Sequence, residues 1–254
     1  MISVCVATHN GAQYIREQVM SILPQLGVND EIIISDDGST DDTLRVIESI
    51  ADTRIKVFHY QCQDSSLPSA EKATLNFHNA LVHCEGEFIF LADQDDVWVE
   101  NKVSIIMGYL KQYPYIVSDC YVTNADLKVV SETRFVKEEK IHYNKYAALI
   151  LSTPYQGSCA AFRREVLEKS LPFPQRLQSH DRWIGDVAAF FFSVKIIPEK
   201  LIYYRRHEGT TSSAFGKANH KHIKQTLFYK WIYIKGIIKI KLEEKKRIWD
   251  WNRR

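Results

Sequence analysis

Three carboxylates fall within four positions at Asp93, Asp95 and Asp96, directly after the apolar run Phe88-Ile89-Phe90-Leu91-Ala92. Folding does not require that density of like charge at a strand end, and it is tolerated where a cation sits among the carboxylates. Hard oxygen ligands suit Mg²⁺ or Mn²⁺, ions that join one or two carboxylates to substrate phosphates. The expectation is a metal-diphosphate site at the carboxyl end of a strand. A solvated acidic turn is the plainer alternative.

Two further polar clusters end apolar runs in the same way. Ile2 to Ala7 leads into Thr8-His9-Asn10-Gly11, and Glu31 to Ser35 leads into Asp36-Asp37-Gly38-Ser39-Thr40. Between the runs, Ile15, Val19, Ile22, Leu23 and Leu26 recur at helical spacing. Ser39 and Asp42 have capping-box spacing ahead of a helix running to Ile50. Ile55 to His59 reads as a third strand, Ala73 to Val82 as a helix, Phe88 to Ala92 as the fourth strand and Asn101 to Tyr113 as a helix ended by Pro114. Strands that are solid apolar blocks are buried on both faces, as in parallel sheets. The fold class expected is α/β, a doubly wound, mostly parallel sheet flanked by helices, with ligands outside the carboxyl ends of its strands.

Beyond Ile116 the pattern predicts strands at Ile116 to Val122, Lys128 to Val130, Ser158 to Phe162, Lys195 to Ile197 and Leu201 to Tyr204. Helices are predicted at Asn144 to Leu151 and Asp181 to Phe192, and one long interrupted helix from Asn219 to about Trp251. With 254 residues, 45% hydrophobic and 25% charged, the composition is that of an ordinary globular chain. Five scattered cysteines without a Cys-x-x-Cys pair suggest neither a disulfide framework nor a zinc site and fit a reducing compartment. Strand-like sequence from Ile2 suggests no leader before the fold. The net charge of +2 is uneven: residues 221–254 carry +8, leaving −6 on the first 220. A basic tail on an acidic body suggests an anionic partner for the tail.

Four blocks together resemble the bacterial family 2 glycosyltransferases of GT-A fold: Ala7 to Gly11, Ser35 to Asp41, Ala92 to Trp98, and Ser179-His180-Asp181-Arg182-Trp183. A fifth, Tyr204 to Gly209, is similar to the segment that closes that family's catalytic core. The resemblance covers roughly residues 1–212, with 213–254 as a basic aromatic extension. Gln94 with Val97-Trp98 is similar to a rhamnosyltransferase-like subgroup building O-antigen or capsule. His9 stands where Tyr is commoner, and Val99 where Pro is.

The resemblance implies a nucleotide-sugar donor and a glycan or lipid-linked acceptor. Thr8, His9, Asn10 and Asp36 or Asp37 would meet a uracil or thymine base, a buried carboxylate reading the ring N–H. Asp95 would ligate the metal, Asp93 would bind ribose or a metal-bound water, Asp96 would orient or ligate, and His207 would add a ligand or diphosphate contact. Arg206, beside Arg205, would clamp phosphate oxygens. Asp181, at a predicted helix N-terminus, would be the general base for an inverting displacement. An N-cap is the commoner job for such an Asp. His180 and Trp183 would line the acceptor site, with the core as an equal alternative for Trp183.

The tail, Leu227 to Lys241, interleaves aromatics, isoleucines and lysines, as interfacial segments on anionic leaflets do. That reading places the protein in the cytoplasm, peripheral on the inner membrane. The alternative is a helix packed on the core or on a second copy in a homodimer. No nucleic-acid partner is implied. Rival activities fit less well. A nucleotidyltransferase needs a Gly-rich basic loop where residues 8–16 hold one Gly and one Arg, and a dinucleotide oxidoreductase needs Gly-x-Gly-x-x-Gly. A metal phosphohydrolase needs further His and Asp ligands. A silent sugar-binding protein would not need both Asp95 and Asp181.

Overall fold

The computed structural model describes residues 1–134, 155–207 and 223–251. The helix predicted over Asn144 to Leu151 lies outside the described residues, as do Glu208 and Gly209. Strands β1 (Ile2–Thr8), β2 (Glu31–Asp37), β3 (Ile55–Tyr60) and β4 (Phe88–Asp93) alternate with helices α1 (Ile15–Ile22), α2 (Thr43–Glu48) and α3 (Ser69–Val82). The strands lie side by side in the order β3-β2-β1-β4, all parallel. Val4, Cys5 and Val6 on β1, Ile32 to Ile34 on β2 and Ile89 to Ala92 on β4 are completely buried. Helices on the sheet faces are what such all-apolar strands require.

The chain continues as β5 (Val97–Trp98), α4 (Lys102–Leu110), β6 (Tyr115–Thr123), β7 (Val129–Ser131), β8 (Ala160–Arg163), α5 (Arg164–Ser170), α6 (His180–Phe191), β9 (Val194–Arg205) and α7 (Ile223–Trp251). The nine strands among the described residues form one sheet, β3-β2-β1-β4-β8-β6-β9-β5, with β7 paired to β6. Strand β8 enters antiparallel between β4 and β6, while β6 and β9 run parallel. The mixed α/β architecture agrees with the sequence expectation.

Several details differ for identifiable reasons. The two strands predicted around Pro198 are one, β9, whose pairing with β6 jumps from Ser118↔Ile197 to Asp119↔Lys200. Pro198 has no N–H to give, so it falls in that irregularity rather than ending the strand. The capping box at Ser39 does not form. Asp42 occupies the N-cap of α2 without a side-chain capping bond, and Ser39 donates instead to Asp36. Helix α7 is continuous across Gly236 rather than interrupted.

Gly236 is the closest approach of α7 to the body. A Cβ there would lie 2.5 Å from Trp183 Cη2 and 2.7 Å from Cζ3. We predict that Gly236→Ala lowers stability, because overpacking costs about 1–3 kcal/mol and outweighs Ala's helix preference of about 1 kcal/mol. The check is a denaturant melt of the full chain. A variant as stable as the parent would mean that α7 is not seated on Trp183.

Candidate active site

Pairing register builds the site. Thr8 sits opposite Asp36, and Ala7 opposite Asp93, so three strand ends converge on one rim. A cleft of about 700 Å³ opens there, in the usual range for small-ligand sites. One wall comes from β1, β2 and α3. The other comes from the N-terminus of α6 and the turn at Gln156 and Gly157. Thr8, His9, Asp37, Asp93, Asp95, His180 and Asp181 all line it.

The acidic cluster divides three ways. Asp96 is fully buried, turned away from the cleft, and accepts the Arg205 N–H at 3.0 Å. Burial, with Asp95 and Asp93 nearby, pushes its carboxyl well above the usual range. It therefore orients the loop and does not reach a ligand in the cleft. Asp95 faces the cleft, and its Oδ2 accepts from His207 Nε2 at 2.9 Å. The antiparallel pairing Val97↔Tyr203 brings the end of β9 over the acidic turn and so delivers His207. Half-buried Asp93 has its carboxyl pushed up to about 7, first by desolvation, then by Asp95 and Asp181. Among the described residues no three His, Cys, Asp or Glu side chains enclose an ion unaided. Asp95 and His207 are in contact and make a two-residue, open-sided donor pair, with Asp93 near enough for Asp95 to raise its carboxyl. The pair fits a hard cation that takes its remaining ligands from water and phosphate.

Asp181 lies in the first turn of α6. Ser179, not Asp181, is the N-cap, accepting from Arg182 N–H at 3.4 Å. Asp181 Oδ2 accepts from Gly157 N–H at 3.0 Å, and Oδ1 from Arg182 N–H at 2.7 Å and from the Ser179 hydroxyl. Donors on both oxygens fix the carboxylate at the cleft wall. His180 stacks on Phe77 with ring centroids 3.8 Å apart. Burial drives its pKa down to about 4, so the ring is neutral near pH 7, and Nε2 is buried without a hydrogen-bond partner.

Besides Asp96 and the Asp95 partner His207, four expected residues stand off the cleft lining: Trp183, Asp36, Arg206 and Asn10. Trp183, expected at the acceptor site, is a core residue, 1% exposed, with Nε1 donating to Ser170 O at 2.8 Å. Its position one turn into an apolar helix makes the core its natural place. Asp36 is buried and accepts from both Ser39 N–H (2.9 Å) and Ser39 Oγ (2.5 Å), the turn chemistry, which leaves Asp37 as the cleft carboxylate of that pair. Arg206 does not line the cleft. Its N–H donates to Thr123 O at 2.9 Å, and its guanidinium lies 6.0 Å from the Tyr204 ring centroid. Asn10, at φ 51°, ties the two polar loops together, its Oδ1 accepting from Thr40 N–H at 2.8 Å. His9 donates from Nδ1 to Asp37 O at 2.7 Å.

Other residues at the site have no role assigned from the sequence, although Gln94 lies inside one of its motif blocks. Gln94 Oε1 accepts from Thr8 Oγ1 (2.7 Å) and His9 N–H (2.9 Å), and Nε2 donates to His9 O at 3.2 Å. Only an amide can grip both backbone groups of one residue in this way. Asn76 donates to Thr8 O at 3.0 Å from α3. Lys102, fully buried, donates to Ser158 O at 2.7 Å and stands 4.0 Å from the Trp98 ring centroid. Burial pushes its pKa down to about 7, with Cys159 and Asp96 pulling upward. Lys72 is the one Lys or Arg among the described residues lining the cleft.

The profile described as Glycosyl transferase family 2 matches residues 3–171. The chain belongs to that family, and is a glycosyltransferase. Among its relatives, the Escherichia coli UDP-Glc:α-D-GlcNAc-diphosphoundecaprenol β-1,3-glucosyltransferase WfaP is 28% identical over 219 residues, 84% of this chain and 80% of that one. The structure of Staphylococcus aureus TarS residues 1–349 with UDP-GlcNAc superposes with a TM-score of 0.67 at 18% identity, over 92% of this chain and 66% of that one. Mycobacterium tuberculosis glucosyl-3-phosphoglycerate synthase, with Mn²⁺, UDP and glucosyl-3-phosphoglycerate, gives 0.57 at 17% identity, over 94% and 79%. The chain spans 54–80% of the lengths of the first curated relatives it matches. His180, Asp181 and His207 lie beyond the matched family span, so geometry is what joins them to this glycosyltransferase's cleft.

If Asp181 takes a proton during transfer, Asp181→Asn keeps the size and, with its one accepting oxygen, either the Gly157 or the Arg182 contact, but loses the base. We predict a turnover loss of roughly 10²–10⁴, with donor affinity nearly unchanged. Turnover within a few-fold of the parent would move the base elsewhere.

Proposed function

We propose that this glycosyltransferase moves a sugar from a UDP- or dTDP-sugar to a hydroxyl of a glycan or lipid-linked oligosaccharide in cell-surface polysaccharide synthesis, inverting the anomeric centre. One observation carries the reading. Four carboxylates, Asp37, Asp93, Asp95 and Asp181, face a cleft whose described lining holds one Lys. Such a cleft repels a diphosphate unless a divalent cation joins the two. Asp95 and His207, with Asp93 nearby, would hold Mn²⁺ or Mg²⁺. When bound, that ion would neutralise charge on the departing nucleoside diphosphate.

The residues of the chain do the rest. Asp37, held by Cys62 N–H at 2.8 Å on one oxygen, would meet the base beside His9. Lys72 would add a positive contact for phosphate. Neutral His180 would hydrogen-bond the acceptor through Nε2, and Asp181 would remove the proton from the attacking hydroxyl. Asp93 or Asp95 would have to serve as nucleophile in a retaining route, and both are committed to the donor side. The names of relatives that act on diphosphoundecaprenol-linked sugars support a lipid-linked acceptor here. No helix among the described residues is long and apolar enough to cross a membrane. A lipid-linked acceptor supports a peripheral position on the cytoplasmic face.

The test is a screen of UDP- and dTDP-sugars for hydrolysis by the full chain with Mn²⁺, Mg²⁺ or EDTA, followed by ¹H NMR of the product anomer with a lipid-linked acceptor. Expected is turnover of one donor class, lost in EDTA, with inverted configuration. Undiminished turnover in EDTA would remove the cation, and retention would remove Asp181 as base.

A further inference from the structure

Helix α7 has two faces of different chemistry. Its inward face is buried against the body. Tyr229 OH donates to Glu71 Oε1 at 2.7 Å, Tyr233 OH donates to Ser179 O at 3.4 Å, and Ile232 and Ile237 are buried. Glu71 opens α3 and also accepts from Arg176 Nε at 2.8 Å. The helix therefore backs the wall that carries Ser179, His180 and Asp181.

At about 100° per residue, the opposite face presents Leu227, Phe228, Trp231, Ile238 and Leu242, each between 45 and 61% exposed. Interleaved on that face are the exposed lysines Lys235, Lys239, Lys245 and Lys246, and Lys235 Nζ stands 4.7 Å from the Trp231 ring centroid. Acids are kept off it. Glu244 pairs inward with Lys169, and Glu243 lies on the flank, 3.9 Å from Lys239 Nζ. Large exposed apolar side chains in one stripe mark an interaction surface.

We propose that this face of α7 lies flat on an anionic phospholipid leaflet, with the five apolar side chains at the headgroup–acyl boundary and the lysines on lipid phosphates. The charge pattern selects this occupant. A second copy meeting the same face by two-fold symmetry would set lysines against lysines. A lipid surface satisfies both the apolar stripe and the cations. Because α7 then lies between the lipid and the Asp181 wall, the acceptor end of the cleft stands roughly one helix diameter, about 10–12 Å, from the membrane. That is close enough for an acceptor whose anchor stays in the leaflet. The surface itself follows from α7 alone; its use in catalysis rests on the lipid-linked acceptor proposed above.

The experiment is co-sedimentation of the full chain with phosphatidylcholine vesicles, with or without 30% phosphatidylglycerol, at low and high salt. Two triple variants are compared, Trp231→Ser/Ile238→Ser/Leu242→Ser and Lys235→Gln/Lys239→Gln/Lys245→Gln. The parent should bind only the phosphatidylglycerol vesicles and be released by salt. At about fivefold per lysine near the surface, the lysine variant should bind on the order of 100-fold more weakly, and the apolar variant should not bind. Both should keep the parent's circular dichroism, light-scattering mass and donor hydrolysis. Parent binding to neither vesicle, or unchanged binding by the apolar variant, overturns the proposal, as does a parent dimer that the apolar variant dissociates. Vesicle binding without sugar transfer would leave this surface standing and remove the functional reading. Transfer without vesicle binding would do the reverse.

Discussion

Mutual repulsion among the carboxylates at the end of β4 is the constraint around which this protein is arranged. Asp93, Asp95 and Asp96 sit on one short turn, with Asp181 close enough to raise Asp93 further. The fold meets that repulsion in separate places. Asp96 is taken into the interior onto the Arg205 N–H, above buried Lys102, and Asp95 is given His207. Asp93 keeps a position at the cleft with its carboxyl raised to about 7. The remaining negative charge points into the cleft, where a divalent cation would offset it and join it to a diphosphate.

The antiparallel β5–β9 pairing exists in service of that arrangement. Two residues of β5 suffice to draw the end of β9 across the acidic turn, so that Arg205 and His207 reach Asp96 and Asp95. Arg205 is itself anchored by Glu17, by Ala125 O at 3.0 Å and by the Tyr14 ring. The opposite wall depends on a longer chain of contacts. Helix α7 packs Gly236 on Trp183 and Tyr233 on the Ser179 carbonyl, and Ser179 caps the helix that carries Asp181. The Asp181 wall is thus backed by α7, and the opposite wall by the sheet and α3.

What could be read from the chain in advance was local or periodic. Solid apolar runs gave the parallel strands, and polar residues at their ends gave the rim, because both properties are written in consecutive residues. What escaped depends on contacts between distant positions. Gln94 grips the β1 loop across a separation of 85 residues, and Asn76 reaches Thr8 across 68. Neither partner marks the other in sequence. Trp183 was drawn toward the cleft by its neighbour Asp181, whereas successive helical residues point about 100° apart. Asp181 in the first turn faces the cleft, and Trp183, two residues on, faces the core. Asp36 and Asp37 separate for the analogous reason on a strand, where neighbours point to opposite faces.

A divalent cation held at Asp95 and His207, beside Asp93, would bind together with a nucleoside diphosphate. The most direct measurement is the electron paramagnetic resonance signal of free Mn²⁺ during titration into the full chain, with and without UDP or dTDP. The account predicts that the parent chain removes free Mn²⁺ far more strongly when the nucleotide is present. It predicts that Asp95→Asn leaves the signal near that of Mn²⁺ and nucleotide alone. Equal Mn²⁺ uptake by parent and Asp95→Asn, or uptake indifferent to the nucleotide, would contradict it.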